Sequence, residues 1–466
     1  MRNPVHTTRA AGLAALALLT ALPSSLTAQT NAAPDEIAAL REQIRLLDQK
    51  LKALERNIEL KDEAAAAEAK KQPKLTVSDG RIEVASADGK NLLRLRGLVQ
   101  ADSRWYLDDT NATNDTFVLR RARLIFQGKF SDIFDYVVQP EFAGSAVSIL
   151  DANINARIAP AFNVRVGRFK TPIGLEQLQS DANAFFNERS IVTNLTPNRD
   201  VGVQFHGTFL DEALSYQLAV LNGVPDAANS AAGAADFDSD KSVALRLFAT
   251  PWAKDKDSAL QGLGFGVAIG TGNYDTVSGR ASRYRTDGQQ TFFSYAGTTV
   301  ADGRGLTISP QAYYYNGPLG ILAEYVASSI ELTNGANRRE ITNTGFNLSA
   351  GYVLTGEDAG YGGVKPKTSF SPANGTWGAF ELVARVAQVD IDDDVFLGPS
   401  ALAGLNNATK TTSYGLGLNW YLSRTVRANL NLFHNTFDLP AGAAPAAGSV
   451  LSDDETALIT RVQVSF

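Results

Sequence analysis

From Leu92 to Phe466 the chain alternates apolar and polar residues at a period of two, and this pattern limits its fold more than any other feature. Side chains on a strand point to opposite faces in turn, so the alternation describes a long series of two-faced strands. In Leu93-Arg94-Leu95-Arg96-Gly97-Leu98-Val99-Gln100-Ala101-Asp102-Ser103-Arg104-Trp105, one face is mainly apolar and small, while the other carries Arg94, Arg96, Gln100, Asp102 and Arg104. Val118, Ala122, Leu124, Phe126 and Phe130 oppose Arg121, Arg123, Gln127 and Lys129, with Arg120 on the apolar face near the strand's end. Leu150, Ala152, Ile154 and Ala156 oppose Asp151, Asn153, Asn155 and Arg157, and Val426, Ala428, Leu430 and Leu432 oppose Arg427, Asn429 and Asn431. The chain closes on the same theme. Leu458, Thr460, Val462, Val464 and Phe466 share one side of the last strand, and Ile459, Arg461, Gln463 and Ser465 the other.

Composition decides what solvent those faces meet. Mean hydropathy is −0.11, too polar for a helical membrane protein. Beyond the amino terminus no apolar run approaches the roughly 18 residues a spanning helix needs. A membrane barrel escapes that test, because only every second residue of a strand faces lipid. Links such as Ser131-Asp132-Ile133, Ala159-Pro160-Ala161, Asp211-Glu212, Gly317-Pro318 and Ser423-Arg424 are very short. They alternate with the long stretches Thr171–Asn198, Asn222–Asp240, Asn273–Gly305 and Asp390–Lys410. Short periplasmic turns and long outer loops are the habit of outer-membrane barrels, which hold an even number of strands. About seventeen segments qualify as strands; Thr291–Tyr295, the weakest, is assigned to a loop, leaving about sixteen. Thr355–Gly375 is then one anomalously long inner turn. A carboxy-terminal Phe at the foot of the last strand resembles the closing strand of such barrels. The chain has no cysteine, which excludes a disulfide scaffold and thiolate metal sites and suits an oxidising periplasmic route. Its net charge of −6 predicts no nucleic-acid partner.

Ahead of the barrel, residues 1–28 read as a secretory signal: Arg2 and Arg9, an apolar stretch from Ala10 to Leu22, and Leu26-Thr27-Ala28 for cleavage. Residues 29–71 form a predicted periplasmic coiled-coil helix. Ile37, Leu40, Ile44, Leu47, Leu51, Leu54 and Ile58 recur at spacings of three and four, a heptad seam. Ile mostly at one seam position with Leu at the other favours two strands, whereas a barrel trimer asks for three. A single helix packed on its own domain is the alternative. Residues 72–91 are a linker containing a small hairpin around Asp79-Gly80, and residues 92–466 the barrel.

With the polar faces as lumen, Arg94, Arg96, Arg104, Arg121, Arg123, Lys129, Arg157, Arg165, Arg246, Arg385, Arg427 and Arg461 outnumber Asp102, Glu141, Asp151, Glu324 and Glu381. An Arg or Lys turned to lipid costs roughly 2–4 kcal/mol at the midplane, which favours the inward assignment. Basic linings favour anions, and a guanidinium holds an oxyanion through two parallel bonds. Part of this charge is expected to pair with lumenal acids and stiffen the wall. Asp236, Asp238 and Asp240, and Asp390, Asp392, Asp393 and Asp394, lack the glycine and glutamate spacing of a calcium loop and read as solvated loops or as weak divalent bridges to surface lipid. No cofactor or metal site is expected. Nor is an enzyme: of the two histidines beyond the signal, His206 faces the lumen and His434 the outer face.

Two stretches carry a family likeness: Phe117-Val118-Leu119-Arg120-Arg121-Ala122-Arg123-Leu124 and Val166-Gly167-Arg168-Phe169-Lys170-Thr171-Pro172-Ile173-Gly174-Leu175-Glu176. With Glu188-Arg189-Ser190 and Asn198-Arg199-Asp200-Val201-Gly202, they resemble the phosphate-selective O/P porins of Gram-negative bacteria, over roughly Leu92 to Phe466. The resemblance implies a trimeric sixteen-stranded barrel, a constricting third loop, and an arginine ladder leading anions to a lysine-bearing site. Arg120 and Arg121 match the family's paired pore arginines, and Arg123 joins them by alternation. The lysine site does not carry over, since Asn273–Gly305 offers Arg280, Arg283, Arg285 and Arg304 but no lysine. The expectation is an all-β outer-membrane barrel, a passive anion-preferring channel for phosphate or other oxyanions. Its expected partners are outer-membrane lipid and lipopolysaccharide, two further copies, and a periplasmic contact through residues 35–71. The alternative is a structural barrel with non-selective conductance, whose coiled coil tethers or trimerises it.

Overall fold

The structure, a computed structural model, describes residues 34–69, 71–78, 80–107, 114–230, 239–277, 283–443 and 454–466. The expected secretory signal lies outside these residues. Two compact units divide between Lys71 and Gln72. The first is a helix, α1 (Pro34–Ala69). Pro34 opens it where a missing N–H costs nothing, and Asp35 and Glu36 sit at its positive end. Pairs one turn apart lace its surface: Arg45 with Glu42 at 2.8 Å, Lys52 with Asp48 at 2.7 Å. All seven seam residues from Ile37 to Ile58 are exposed, by 47% to 65%.

The second unit opens with a hairpin, β1 (Lys74–Ser78) and β2 (Arg81–Ala85), so the expected linker groups with the barrel. The barrel begins with β3 (Leu92–Tyr106), β4 (Thr116–Phe130), β5 (Phe134–Glu141), β6 (Ser148–Ala159), β7 (Phe162–Lys170), β8 (Arg199–Phe209), β9 (Leu214–Leu221), β10 (Ser242–Ala249) and β11 (Leu263–Val277). A separate two-stranded ribbon, β12 (Arg283–Arg285) and β13 (Thr291–Ser294), interrupts it within a loop. The barrel resumes with β14 (Val300–Asn316), β15 (Leu319–Asn334), β16 (Asn337–Val353), β17 (Ala379–Asp390), β18 (Lys410–Tyr421), β19 (Val426–Asp438) and β20 (Asp454–Ser465).

Sixteen strands pair antiparallel with their neighbours, and β20 pairs with β3, Arg461 opposite Asp102, to close the sheet without a free edge. At the seam, Phe466 N–H donates to Gly97 O (3.0 Å) and Gly97 N–H to Phe466 O (2.7 Å). The Phe466 ring lies over Gly97, where an added Cβ would stand 2.3 Å from it. Below that point β2 takes over the edge of β3, with Ile82 opposite Leu95 and Ala85 opposite Leu92. The end holding Leu92 and Phe466 is called the closure end here, and the other the loop end.

Assigning Thr291–Tyr295 to a loop was right, since β13 pairs only with β12. Two connections differ from expectation. The stretch Asn273–Gly305 is partly strand, because β11 and β14 go on pairing as far as Val277 and Ala301. At the loop end, β15 and β16 join through Gly335 and Ala336 alone, with Asn334 opposite Asn337. The long inner turn is present, between Val353 and Ala379.

The barrel is inside-out relative to a soluble one. Leu93, Val99, Trp105, Leu119, Phe126, Leu430, Leu432 and Val462 are exposed on its outer face. Gln100, Asp102, Arg121, Asn419, Asn431 and Arg461 are buried on the inner. An exterior this apolar requires lipid around it. The interior is filled unevenly. Along β14–β20 the lumen holds two apolar clusters, one around Tyr284, Phe292, Phe293, Ile330 and Val389, the other around Leu175, Phe186, Leu322, Val383 and Phe433. The side walled by β3–β9 holds a polar cavity.

Candidate functional site

The connection between β7 and β8, residues 171–198, turns into the lumen rather than outward. Its residues give the reason: Ile173, Leu175, Phe185, Phe186, Ile191, Val192 and Leu195 are all buried there, away from water. Phe186 packs on Phe433 with ring centroids 5.5 Å apart. The short helix α2 (Leu175–Leu178) is bound at both ends by strand residues. Glu324 of β15 accepts from Leu175 N–H (2.7 Å), and Lys170 Nζ donates to Gln177 O (2.8 Å) and Gln179 O (2.9 Å). Each charge meets the backbone groups that a helix end leaves without partners.

Arginines of the far wall anchor the same loop. Arg385, wholly buried over the Phe186 ring, joins Glu176 (2.6 Å) and Asp287 (2.9 Å). Arg427 donates to Phe185 O (3.1 Å) and Ala182 O (3.4 Å). Arg461 holds Asp102 (2.6 Å) and Glu188 (3.1 Å) and donates to Asn187 O. From the closure end, the long inner turn climbs to meet the loop. Tyr361 OH donates to Leu175 O (2.6 Å), and its ring stacks on Tyr313 at 5.5 Å.

Two loop carboxylates gather the remaining cations. Alternation had put Arg120 on the outer face. A bulge corrects this: Arg121 stands opposite Gln100 and Leu119 opposite Ala101, so Arg120 is the extra residue and turns inward. It binds Glu188 through Nε (2.6 Å) and NH2 (3.0 Å). Asp181 forms ion pairs with Arg121 (3.2 Å) and Arg189 (2.7 Å) and accepts from Arg123, which also pairs with Glu141 at 2.5 Å. Burial alone would raise both carboxyls. Arg120, Arg121 and Arg461 around Glu188, and Arg121, Arg189 and Arg123 around Asp181, outweigh it and hold both far below the usual carboxylate range.

Beside this hub the β3–β9 wall encloses a cavity of about 370 Å³. Arg96, Arg123, Arg165, Lys170 and Arg199 line it against two carboxylates, Asp151 and Asp181; Gln127, Gln139, Asn153, Gln204 and Gln217 supply neutral amides. Arg199 pairs with Asp151 at 3.2 Å. Among the described residues no carboxylate lies within ion-pair distance of Arg165 or Lys170. Arg165 donates to Gln204 (3.0 Å), and its buried Nε has no partner. A second cavity, about 420 Å³, opens at the closure end and is lined by Arg94, Lys129 and Arg157. There Arg94 pairs with Glu83 of the hairpin at 2.7 Å and Arg157 with Asp135 at 3.0 Å.

Arg246 sits apart, over the Phe248 ring at 4.3 Å and bonded to Gln311 at 2.9 Å. Arg283 and Arg285 are exposed on β12, Arg304 is exposed on β14, and Arg280 lies outside the described residues. Of the acidic loop residues, Asp236 and Asp238 also lie outside. Asp390 pairs with Lys410 (3.1 Å), Asp394 with Arg339 (3.4 Å), and Asp392 accepts from Thr342 N–H (2.8 Å). His206 meets Asn155 on the lumenal face at 2.7 Å, and His434 meets Thr456 on the outer face at 3.0 Å. Sequence reasoning passed over Lys170, Asp181, Glu188, Arg189 and Arg199. Four of them lay in the stretches that carried the family likeness, which was the available signal; Asp181 had none.

The family described as phosphate-selective porin O and P matches residues 93–466. The chain belongs to it. Porin O of Pseudomonas aeruginosa is 24% identical over 419 residues, covering 83% of this chain and 91% of that protein. A Caulobacter vibrioides protein of undescribed function is 25% identical over 85% of this chain and 86% of its own length. Among solved structures, the outer-membrane channel DcaP of Acinetobacter baumannii superposes with a TM-score of 0.52 at 11% identity, covering 81% of this chain and 97% of that one. OmpT of Vibrio cholerae gives 0.50 at 12% identity, covering 84% and 100%. This porin is therefore an outer-membrane barrel with a passive channel. The two solved structures share its fold.

Proposed function

We propose that this porin passes small oxyanions, phosphate among them, down their gradient through the chamber on the β3–β9 side. The observation that carries the reading is the chamber's charge: five basic side chains line it against two carboxylates, and among the described residues Arg165 has no carboxylate partner and donates only to a neutral amide. Excess positive charge in a narrow passage with low-dielectric walls concentrates anions and repels cations. Arg165 presents donors in a planar fork suited to an oxyanion, and the amides bind without adding charge. In this reading Arg385, Arg427, Arg461 and Lys170 hold the constricting loop, and Arg96, Arg123, Arg165 and Arg199 meet the solute. The closure end, with Arg94 and Arg157, opens to the periplasm, and the segment that carries α1 is itself periplasmic once residues 1–28 have been removed. Its exposed heptad seam supports self-association of three barrels through their helices.

The test is the reversal potential of the purified porin in a planar bilayer under a salt gradient. Anion preference is expected, and the variant Arg165→Glu should cut the anion-to-cation permeability ratio several-fold. Cation preference in the parent porin refutes the proposal. Selectivity should weaken as salt shortens the screening length from about 10 Å at 0.1 M to about 3 Å at 1 M.

A further inference from the structure

Among the described residues Asp181 is the one carboxylate that faces both the chamber and three guanidinium groups. Arg121 reaches it from β4 at 3.2 Å, Arg123 from the same strand, and Arg189 from the constricting loop at 2.7 Å. Its position is fixed from behind by backbone contacts. Gln100 Nε2 donates to Asp181 O (3.2 Å), and Gln463 Nε2 and Arg427 NH1 donate to the neighbouring Ala182 O (3.1 and 3.4 Å). The side chain is therefore aimed at the arginines by the loop, which does not depend on the ion pairs to stay in place.

Arg123 is shared with Glu141 (2.5 Å) and Arg121 with Glu188 (3.7 Å), yet three guanidiniums converging on Asp181 still exceed what one carboxylate needs. Such a set is the recognition chemistry for a free oxyanion, whose several oxygens accept from several forks at once. An empty site of that kind would bind phosphate tightly and stall the flow, because conduction needs binding weak enough to release. Resting on the oxyanion-channel reading, we propose that the Asp181 carboxylate is a tethered oxyanion occupying a three-arginine site. A passing oxyanion competes with it and is not retained. Burial by itself would raise the Asp181 carboxyl, but the arginines outweigh it and hold the group well below the usual carboxylate range, so the tethered anion keeps its charge.

Removing the tether should create a tight site. In planar bilayers carrying chloride current, inorganic phosphate should block Asp181→Ala at a concentration at least about tenfold below that needed for the parent, a gain expected when charge-assisted bonds lose their internal competitor. Maximal phosphate current should fall at the same time. Asp181→Asn keeps the side-chain shape and is read in parallel, in case the alanine variant fails to assemble; it should also tighten the block. Asp181→Glu restores the carboxylate and should return the block toward the parent's. Assembly of each variant is checked by the heat-modifiable mobility of the folded barrel. Unchanged or weakened phosphate block in the assembled Ala and Asn variants overturns the tether. If the parent itself prefers cations, the oxyanion reading fails first, and the two failures are told apart.

Discussion

Arg385 illustrates how a lumenal charge can belong to the fold. Its side chain has no exposed surface, and its two carboxylate partners, Glu176 and Asp287, are likewise buried. Bringing three charges out of water is costly, and their attraction offsets that cost only while all three are present. Arg385→Leu leaves two buried carboxylates unpaired and should lower stability by about 3–5 kcal/mol. A denaturant unfolding curve in detergent measures this; an unchanged midpoint would show that the ion triad is dispensable. Alternation placed Arg385 on the inner face correctly. It could not announce the pairing, because the partners lie 209 and 98 residues away in the chain.

The ribbon of β12 and β13 packs through Tyr284, Phe292 and Phe293 into the apolar cluster at the loop end. Beneath it Asp226, from the connection after β9, accepts from Ser328 Oγ (2.9 Å) and Tyr284 OH (3.3 Å). Burial pushes the Asp226 carboxyl up to about 7, and those two hydrogen bonds offset only part of the rise. A carboxyl whose folded pKa lies above its unfolded value favours the folded state most when protonated, below about pH 4, and that advantage is lost as pH rises through about 7. The ribbon should loosen between mildly acidic and mildly alkaline conditions. Hydrogen exchange of its backbone amides at pH 5.5 and 8.5, corrected for the intrinsic rates, should give faster exchange at the higher pH. Asp226→Asn should remove the difference, and a variant that kept the full pH effect would assign it to other groups. The ribbon was legible as a loop, because its apolar run is short and interrupted. Its inward packing was not, since the surfaces that receive it come from β15, β16 and β17.

At the scale of the whole molecule the barrel is divided. Apolar clusters, the constricting loop and the inner turn fill the β14–β20 side, and the polar chamber occupies the β3–β9 side. Every group proposed to meet solute belongs to the barrel unit. Deleting Ile37–Ile58 should therefore leave single-channel conductance and anion preference within about twofold of the parent, while shortening the helix should weaken self-association. Bilayer recordings and light scattering in detergent read the two effects separately. Loss of selectivity on deletion would instead favour the structural role, in which the helix is the working part and the conductance incidental.

The alternation, the short links and the closing strand led to about seventeen strands, and the even-number rule to about sixteen, in a barrel with a basic inner face and an aromatic carboxy terminus at its seam. These are properties of neighbouring residues: which face a side chain takes depends on its parity, and lipid admits only one assignment of charge. Tertiary structure alone decided which of those charges remain available. A bulge against Gln100 turned Arg120 inward, and register between strands is not written in either strand's period. The loop that crosses the lumen took Arg385, Arg427 and Arg461 for its anchors and gathered Arg120, Arg121 and Arg123 around two of its own carboxylates. Lys170 went to the end of the loop helix, and among the described residues Arg165 was left without a carboxylate partner, facing the chamber. Ion pairing joins residues distant in sequence and is set by where the loop folds, so the sign of the wall could be read from the chain, but its working charges could not.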